Sequence, residues 1–216
     1  MFRLFQISVF IFFSSVLYAA DFEKTYEAYK KGNYEIALDG FLELATKDHM
    51  KAQFYLGMMY REGKGVVQDY SKSLEWYQKA AAHGEPKAQH NVAIFYHNGI
   101  SVNRDIKVAI DWYSKAANQN YIPSQINIAK LYYSGEGIEK NLKEAIAWWQ
   151  KAANLGSKGA QHNLGLMYFL GEGIEQDYSK AMEWYRLAAT QGSKEAQNSI
   201  GFMYFEGKGV NKDLIE

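Results

Sequence analysis

Residues 160–195 read AQHNLGLMYFLGEGIEQDYSKAMEWYRLAATQGSKE, and this stretch recurs with substitutions every 36 residues. In each copy the second position is Gln and a Tyr and a Gly follow at fixed distances; the first four copies also carry a Trp at a fixed distance. Copies start at Ala52, Ala88, Ser124, Ala160 and Ala196. A fixed period of this length is typical of stacked helical repeats, in which each unit buries its apolar face against its neighbours.

The unit predicts two helices joined by a glycine turn. Leu164, Met167 and Tyr168 follow helical spacing in the first half, and Gly-x-Gly pairs such as Gly171/Gly173 then end the helix through positive φ angles. An Asp or Asn precedes the second half of each copy and is expected to cap the second helix. These caps are Asp69, Asp105, Asn141, Asp177 and Asp213.

Aromatic and sulfur-containing side chains are expected to form the core between the paired helices. By their periodicity, the candidates are Met59, Met167 and Met203 together with Trp76, Trp112, Trp148 and Trp184. A small residue on each first helix (Gly57, Ala93, Ala129, Gly165, Gly201) marks a position where another helix comes close.

The pattern A-Q-x-x-L-G-x-M-Y-x-x-G-x-G, followed by D, W-Y and A-A, resembles the Sel-1-like repeat family, a relative of the tetratricopeptide repeat. The resemblance covers residues 52–216 and departs from the pattern at Ser101, Ser124 and the Trp148–Trp149 pair. It implies an all-α fold, a right-handed α-α superhelix (solenoid) of helix-turn-helix repeats. The predicted repeats are 52–87, 88–123, 124–159, 160–195 and a partial 196–216.

Residues 1–20 differ from the repeats. Arg3 precedes a short apolar run and Ala19–Ala20 closes it, a pattern typical of a secretory signal peptide. The alternative is an uncleaved anchor, since residues 4–20 approach the length that spans a bilayer. We expect cleavage, export to the periplasm or medium of a bacterial envelope, and no membrane insertion afterwards. Residues 21–51 are predicted to be a degenerate capping repeat.

The fifth repeat stops at Glu216, where its second helix should begin. We expect either a fragment of a longer protein or a covered end, and self-association through the uncapped repeat. Its first helix should then leave Phe202, Met203 and Tyr204 partly exposed.

The sequence carries no recognisable catalytic or metal-binding motif. The sequence has 24 Lys and Arg residues and 24 Asp and Glu residues, so it has no excess of positive charge that would attract nucleic acid. His90 and His97 lie seven residues apart on one helix, without the third ligand of a usual zinc motif. Some secreted relatives in the family are linked to penicillin binding or hydrolysis, yet the Ser-x-x-Lys and Lys-Thr-Gly signatures are missing. We predict a non-enzyme without cofactor or metal; a cell-wall or β-lactam hydrolase is the alternative.

The function class that remains is binding to a protein or peptide. The positions that vary between repeats fall on one face of each first helix, and the resemblance places that face on the concave surface of the array. The predicted groove residues are Phe54, Met58, Arg61, His90, Ile94, His97, Ile126, Lys130, Tyr133, His162, Leu166, Phe169, Asn198, Phe202 and Phe205. Some of them, Leu166 and Ile94 especially, could instead pack between neighbouring helices.

Overall fold

A computed structural model describes residues 22–209, and all eleven regular elements in that range are α-helices. Helix α1 covers residues 22–30. The others are α2 Tyr34–Ala45, α3 Met50–Glu62, α4 Tyr70–Ala82, α5 Pro86–Asn98, α6 Ile106–Ala117, α7 Ile122–Ser134, α8 Leu142–Asn154, α9 Lys158–Leu170, α10 Tyr178–Thr190 and α11 Lys194–Glu206. The predicted signal peptide and the cap Asp213 lie outside the described residues.

The chain forms two compact units that meet in sequence between Arg104 and Asp105. In the first unit, each helix from α2 to α4 packs against the one that follows it, ending with α5. In the second unit, each helix from α6 to α10 packs against the one that follows it, ending with α11. Consecutive packing is the expected behaviour of repeats that contact only their neighbours.

The second helices begin at the predicted caps. In Asp69, Asp105, Asn141 and Asp177, the backbone is extended and the side-chain oxygen accepts a hydrogen bond from the backbone N–H three residues on. The donor–acceptor distances are 3.0, 3.0, 3.1 and 2.9 Å. Each cap satisfies one of the backbone donors that a helix start leaves unpaired.

The first helices end in a left-handed residue. The glycines that cap α3, α5, α7, α9 and α11 all have φ between 64° and 71°. Ser101 replaces the second loop glycine in one repeat and still adopts φ 57°. The loop therefore keeps its turn with a serine, at a cost of about 1–2 kcal/mol of backbone strain.

The repeated Gln has a structural role at the helix junctions. The amides of Gln53, Gln89, Gln125 and Gln161 are buried, and each donates to the carbonyl eight residues earlier, near the end of the preceding helix. The distances are 3.4, 3.2, 3.0 and 3.2 Å. Helix ends leave carbonyls unpaired, and the side-chain amide satisfies one of them inside the protein.

The tryptophans are not the centre of the core, contrary to the sequence prediction. Trp76, Trp112, Trp148 and Trp184 are only half-buried. The next residue in each repeat is the buried one: Tyr77, Tyr113, Trp149 and Tyr185, all 3% exposed or less. One step along a helix turns the side chain by about 100°, so only one member of the pair can face the core.

A lysine three residues on covers the outer face of most of these tryptophans. The ammonium groups of Lys79, Lys115 and Lys151 lie 4.0, 3.9 and 3.8 Å from the ring centroids of Trp76, Trp112 and Trp148. At the fourth tryptophan the corresponding residue is Leu187, which is 49% exposed. The tryptophans thus act as half-exposed platforms at the edge of the core.

Two of the small residues on the first helices, Gly57 and Gly165, make room for buried tyrosines, whereas a Cβ added at Gly201 would meet no atom within 4 Å. A Cβ added at Gly57 would lie 2.5 Å from Tyr77, and one at Gly165 would lie 2.6 Å from Tyr185. Met59, Met167 and Met203 are buried, which confirms the predicted methionine core. The expectation of an exposed Met203 was therefore wrong, because that side chain packs in the cluster of buried residues around α10.

Candidate functional site: the first-helix face

The first-helix face of the first unit is partly filled by its own side chains. Phe54 is 8% exposed and packs edge-on against Tyr55, with the ring of Tyr77 at 5.8 Å. Met58 and Ile94 are half-buried. Phe54 therefore contributes mainly to packing, whereas Met58 and Ile94 retain surface that a partner could contact.

Arg61 links two first helices in this unit. Its Nη1 donates to Asn91 Oδ1 at 3.1 Å, and its Nη2 pairs with Glu62 at 2.8 Å. The Tyr77 hydroxyl is buried without a hydrogen-bond partner among the described residues, and burial raises its pKa. The arginine thus links α3 to α5 through a hydrogen bond, and the buried Tyr77 hydroxyl is a polar atom left unsatisfied nearby.

The histidines of α5 are half-buried. Burial lowers the pKa of His90 to about 4, so the ring is neutral near pH 7. The carbonyl of His97 accepts a hydrogen bond from Arg104 Nε at 2.9 Å. Within residues 22–209, no group of three or more His, Cys, Asp or Glu side chains is placed to hold a metal ion.

In the second unit, residues of the first-helix face contact a loop, a second helix and the next first helix. The hydroxyl of Tyr133 donates to Glu172 at 3.2 Å, and its ring lies 5.4 Å from that of Trp149. His162 Nε2 lies 3.3 Å from Ser199 Oγ. Lys130 is exposed, Ile126 is half-buried, and Phe205 is 77% exposed near the end of α11.

Several predicted groove residues converge on one pocket between α9 and α11, with α10 contributing a side chain. It has a volume of about 260 Å³ and is lined by Leu166, Phe169, Tyr185, Asn198, Ser199 and Phe202. The rings of Phe169 and Phe202 meet edge-on at 6.0 Å. Lys208, in the loop after α11, places its ammonium 5.1 Å from the Phe169 ring and 6.0 Å from the Phe202 ring.

Three members of this region were not expected from the sequence: Tyr185, Ser199 and Lys208. Tyr185 was missed because the sequence pattern assigned the core position to its neighbour Trp184. Ser199 stands where the three preceding repeats have Asn91, Asn127 and Asn163, a substitution that aligning the repeats reveals. Lys208 belongs to a Gly-x-Gly loop, and only the folded chain brings that loop to the aromatic rings.

Among the helices of residues 22–209, none has both the length and the apolar content needed to span a bilayer.

Comparison with known proteins identifies the family. The Sel1 repeat model matches residues 51–85, 86–121, 122–157, 159–193 and 194–216. A search of curated proteins gave no match. A Sel1 repeat protein from Oxalobacter formigenes is 35% identical, with 88% of this chain and 77% of the other covered and a TM-score of 0.79.

Two other solved structures share the architecture. A protective antigen of uropathogenic Escherichia coli with an SLR fold is 34% identical, at a TM-score of 0.85; the alignment covers 91% of this chain and 43% of the antigen. A Sel1 repeat protein from Klebsiella pneumoniae, 19% identical over 86% of this chain and 92% of its own, shares the fold at a TM-score of 0.54. These similarities confirm the predicted class of all-α helix-turn-helix repeat fold. The chain belongs to the Sel1 repeat family, whose members serve as scaffolds for protein partners.

Proposed function

We propose that this protein is an exported, non-enzymatic scaffold that binds an extended segment of a partner protein on its first-helix face. The observation that carries the proposal is the pocket between α9 and α11. There, partly exposed apolar side chains from positions that vary between repeats lie together, next to an exposed amide from Asn198. Apolar anchors with a few polar groups beside them suit recognition of a peptide.

The export component rests on the sequence of residues 1–20, with a single early charge, a short apolar run and a small-residue exit. N-terminal sequencing of protein recovered from the periplasm or medium should begin at Ala20 or Asp21. Recovery of an intact Met1 on membrane-bound protein would indicate an anchor instead.

The chain offers a matched pair of substitutions for testing the binding face. Phe202 on α11 and Leu187 on α10 are both 49% exposed, but only Phe202 lines the pocket. The wild-type protein, Phe202→Ser and Leu187→Ser would each be immobilised and incubated with envelope extract from the native cell. Retained proteins would be quantified by mass spectrometry.

We expect one or a few proteins to be retained by wild type and Leu187→Ser, and to be lost with Phe202→Ser. Loss with Leu187→Ser but not with Phe202→Ser would place the binding surface on the second helices and refute the proposal. Circular dichroism of both variants establishes that each remains folded.

A further inference from the structure

The pocket between α9 and α11 is open because two positions differ from the other repeats. In the first unit, the positions that correspond to Phe169 and Ser199 hold Arg61 and Asn91. These two side chains are joined by a 3.1 Å hydrogen bond, so the guanidinium spans the space between successive first helices. In the pocket, Phe169 meets the Phe202 ring edge-on and forms no hydrogen bond to Ser199, which is shorter than asparagine and lies 3.3 Å from His162 Nε2.

The preceding pair of first helices in the second unit, α7 and α9, is arranged differently. There Trp149 takes the position of Tyr185, and the Tyr133 ring packs against it at 5.4 Å. Trp149 is 3% exposed, so the larger indole and the tyrosine ring occupy the space between them. The apolar recess between α9 and α11 thus differs from the arrangement between α3 and α5 and from that between α7 and α9.

Resting on the proposed function, we infer that this pocket receives one large apolar side chain, of leucine or phenylalanine size, from an extended partner segment with an acidic residue beside it. The volume of about 260 Å³ lies below the range of about 300–1,000 Å³ typical of small-molecule sites. The lining supplies aliphatic and aromatic surface from Leu166, Phe169 and Phe202, so the burial of an apolar group against it is favourable.

The acidic neighbour follows from Lys208. Its ammonium contacts the rings of Phe169, Phe202 and Tyr178 at 5.1, 6.0 and 5.8 Å, and it forms no ion pair with a carboxylate of residues 22–209. The corresponding loop positions in the two preceding repeats are acidic, Glu136 and Glu172. A cation at the edge of this pocket thus favours a partner with a carboxylate next to its anchor residue.

Asn198 completes the recognition surface. It lines the pocket on α11 and is exposed, so its amide can donate to and accept from the backbone of an extended peptide. The inferred ligand is therefore a short extended segment that presents an apolar anchor, a neighbouring Asp or Glu, and free backbone groups.

An array of nonapeptides tests the inference. All peptides share a Gly/Ser background; the central residue is Leu, Phe, Ala or Lys, and the two flanking residues are Asp or Lys. The fluorescently labelled full chain is applied to the array, and the best peptide is then titrated by fluorescence anisotropy. Two variants borrow residues from the other repeats and should therefore keep the fold: Ser199→Asn and Lys208→Glu.

We expect Leu or Phe between Asp residues to bind best, with Ala in the centre weaker by roughly tenfold or more. Ser199→Asn narrows the pocket and should weaken the apolar peptides by a similar factor, roughly tenfold. Lys208→Glu should reverse the preference from Asp to Lys flanks by about three- to tenfold at low salt, since an exposed pair is screened by ions.

Equal retention of the Leu and Ala peptides, or an array on which no peptide is retained, would refute this pocket. So would dimerisation in sedimentation experiments that Ser199→Asn abolishes, because the occupant would then be a second copy of the chain. If the Phe202→Ser and Leu187→Ser pair still separates partner binding while Ser199→Asn changes nothing, the binding face stands and only the anchor pocket fails.

Discussion

The Trp184–Tyr185 pair provides the sharpest test of how the repeats are packed. Tyr185 is 1% exposed and lies in a cluster with Met182, Ala196 and Met203, directly against Gly165. Replacing it with alanine would leave a cavity, because the backbone of the opposing helix cannot move in to fill the space. We expect Tyr185→Ala to lower the free energy of unfolding by about 3–5 kcal/mol, the usual range for emptying a large aromatic from a core.

Trp184→Ala should cost less, although the sequence alone suggests the tryptophan as the core residue. The indole is half-buried, so water can enter the space that it leaves, and only the transfer free energy of the lost contact is forfeited. We expect about 1–2 kcal/mol. Tyr185→Phe is the control: it keeps the buried ring and removes only the hydroxyl, so it should change the free energy of unfolding by no more than about 1 kcal/mol.

Urea unfolding followed by circular dichroism measures the three variants, and hydrogen exchange locates the loss. Because repeats contact only their neighbours, exchange protection should fall first in α9, α10 and α11. A Trp184→Ala variant as damaging as Tyr185→Ala would show that the assignment of the core aromatic is wrong. Protection lost evenly along residues 22–209 would contradict nearest-neighbour packing.

Two further predictions concern single positions. Gly165→Ala should destabilise the protein by about 1–3 kcal/mol because the new Cβ would lie 2.6 Å from Tyr185. Gly159→Ala on the same helix, where the new Cβ would have no atom within 4 Å, should stabilise the protein by up to about 1 kcal/mol. Thermal melts compare the two variants, and equal effects would contradict the close approach of Gly165 to Tyr185. In the folded protein the pKa of His90 is about 4, below the unfolded value of 6.5, so the stability that it contributes is complete above about pH 6.5 and falls as the pH drops toward 4. Urea unfolding at several pH values should show that the free energy of unfolding of His90→Gln falls less steeply between pH 6.5 and 4 than that of the wild type. An unchanged pH dependence would refute the effect.

The 36-residue spacing predicted the helix pairs, and their caps and turns could be read from single residues. Asp177 and Gly171 lie where the sequence placed them because capping depends on local hydrogen bonds and on φ angles. The Trp–Tyr pair was misassigned by one residue because both side chains are aromatic, and periodicity does not separate adjacent positions. A lysine three residues after the tryptophan, as at Lys151, is the local signal of its outward side.

The proposed binding face was only partly predictable. Variation between repeats singled out Leu166, Phe169 and Phe202, since the fold does not dictate those positions. It could not show that Arg61 would donate a hydrogen bond to Asn91 and so link the corresponding helices in the first unit. That difference depends on side-chain geometry between helices, which a one-dimensional pattern does not contain.

Photo-crosslinking from matched positions tests most directly whether the first-helix face binds the partner. Lys130 on α7 and Lys143 on α8 are both exposed, and each would be replaced in turn by benzoylphenylalanine in the full chain. Irradiation in the native cell, followed by mass spectrometry, gives the yield of adducts from each position. We expect adducts with a partner protein from position 130 and none from position 143; equal yields, or adducts from position 143 alone, would contradict binding on the first-helix face.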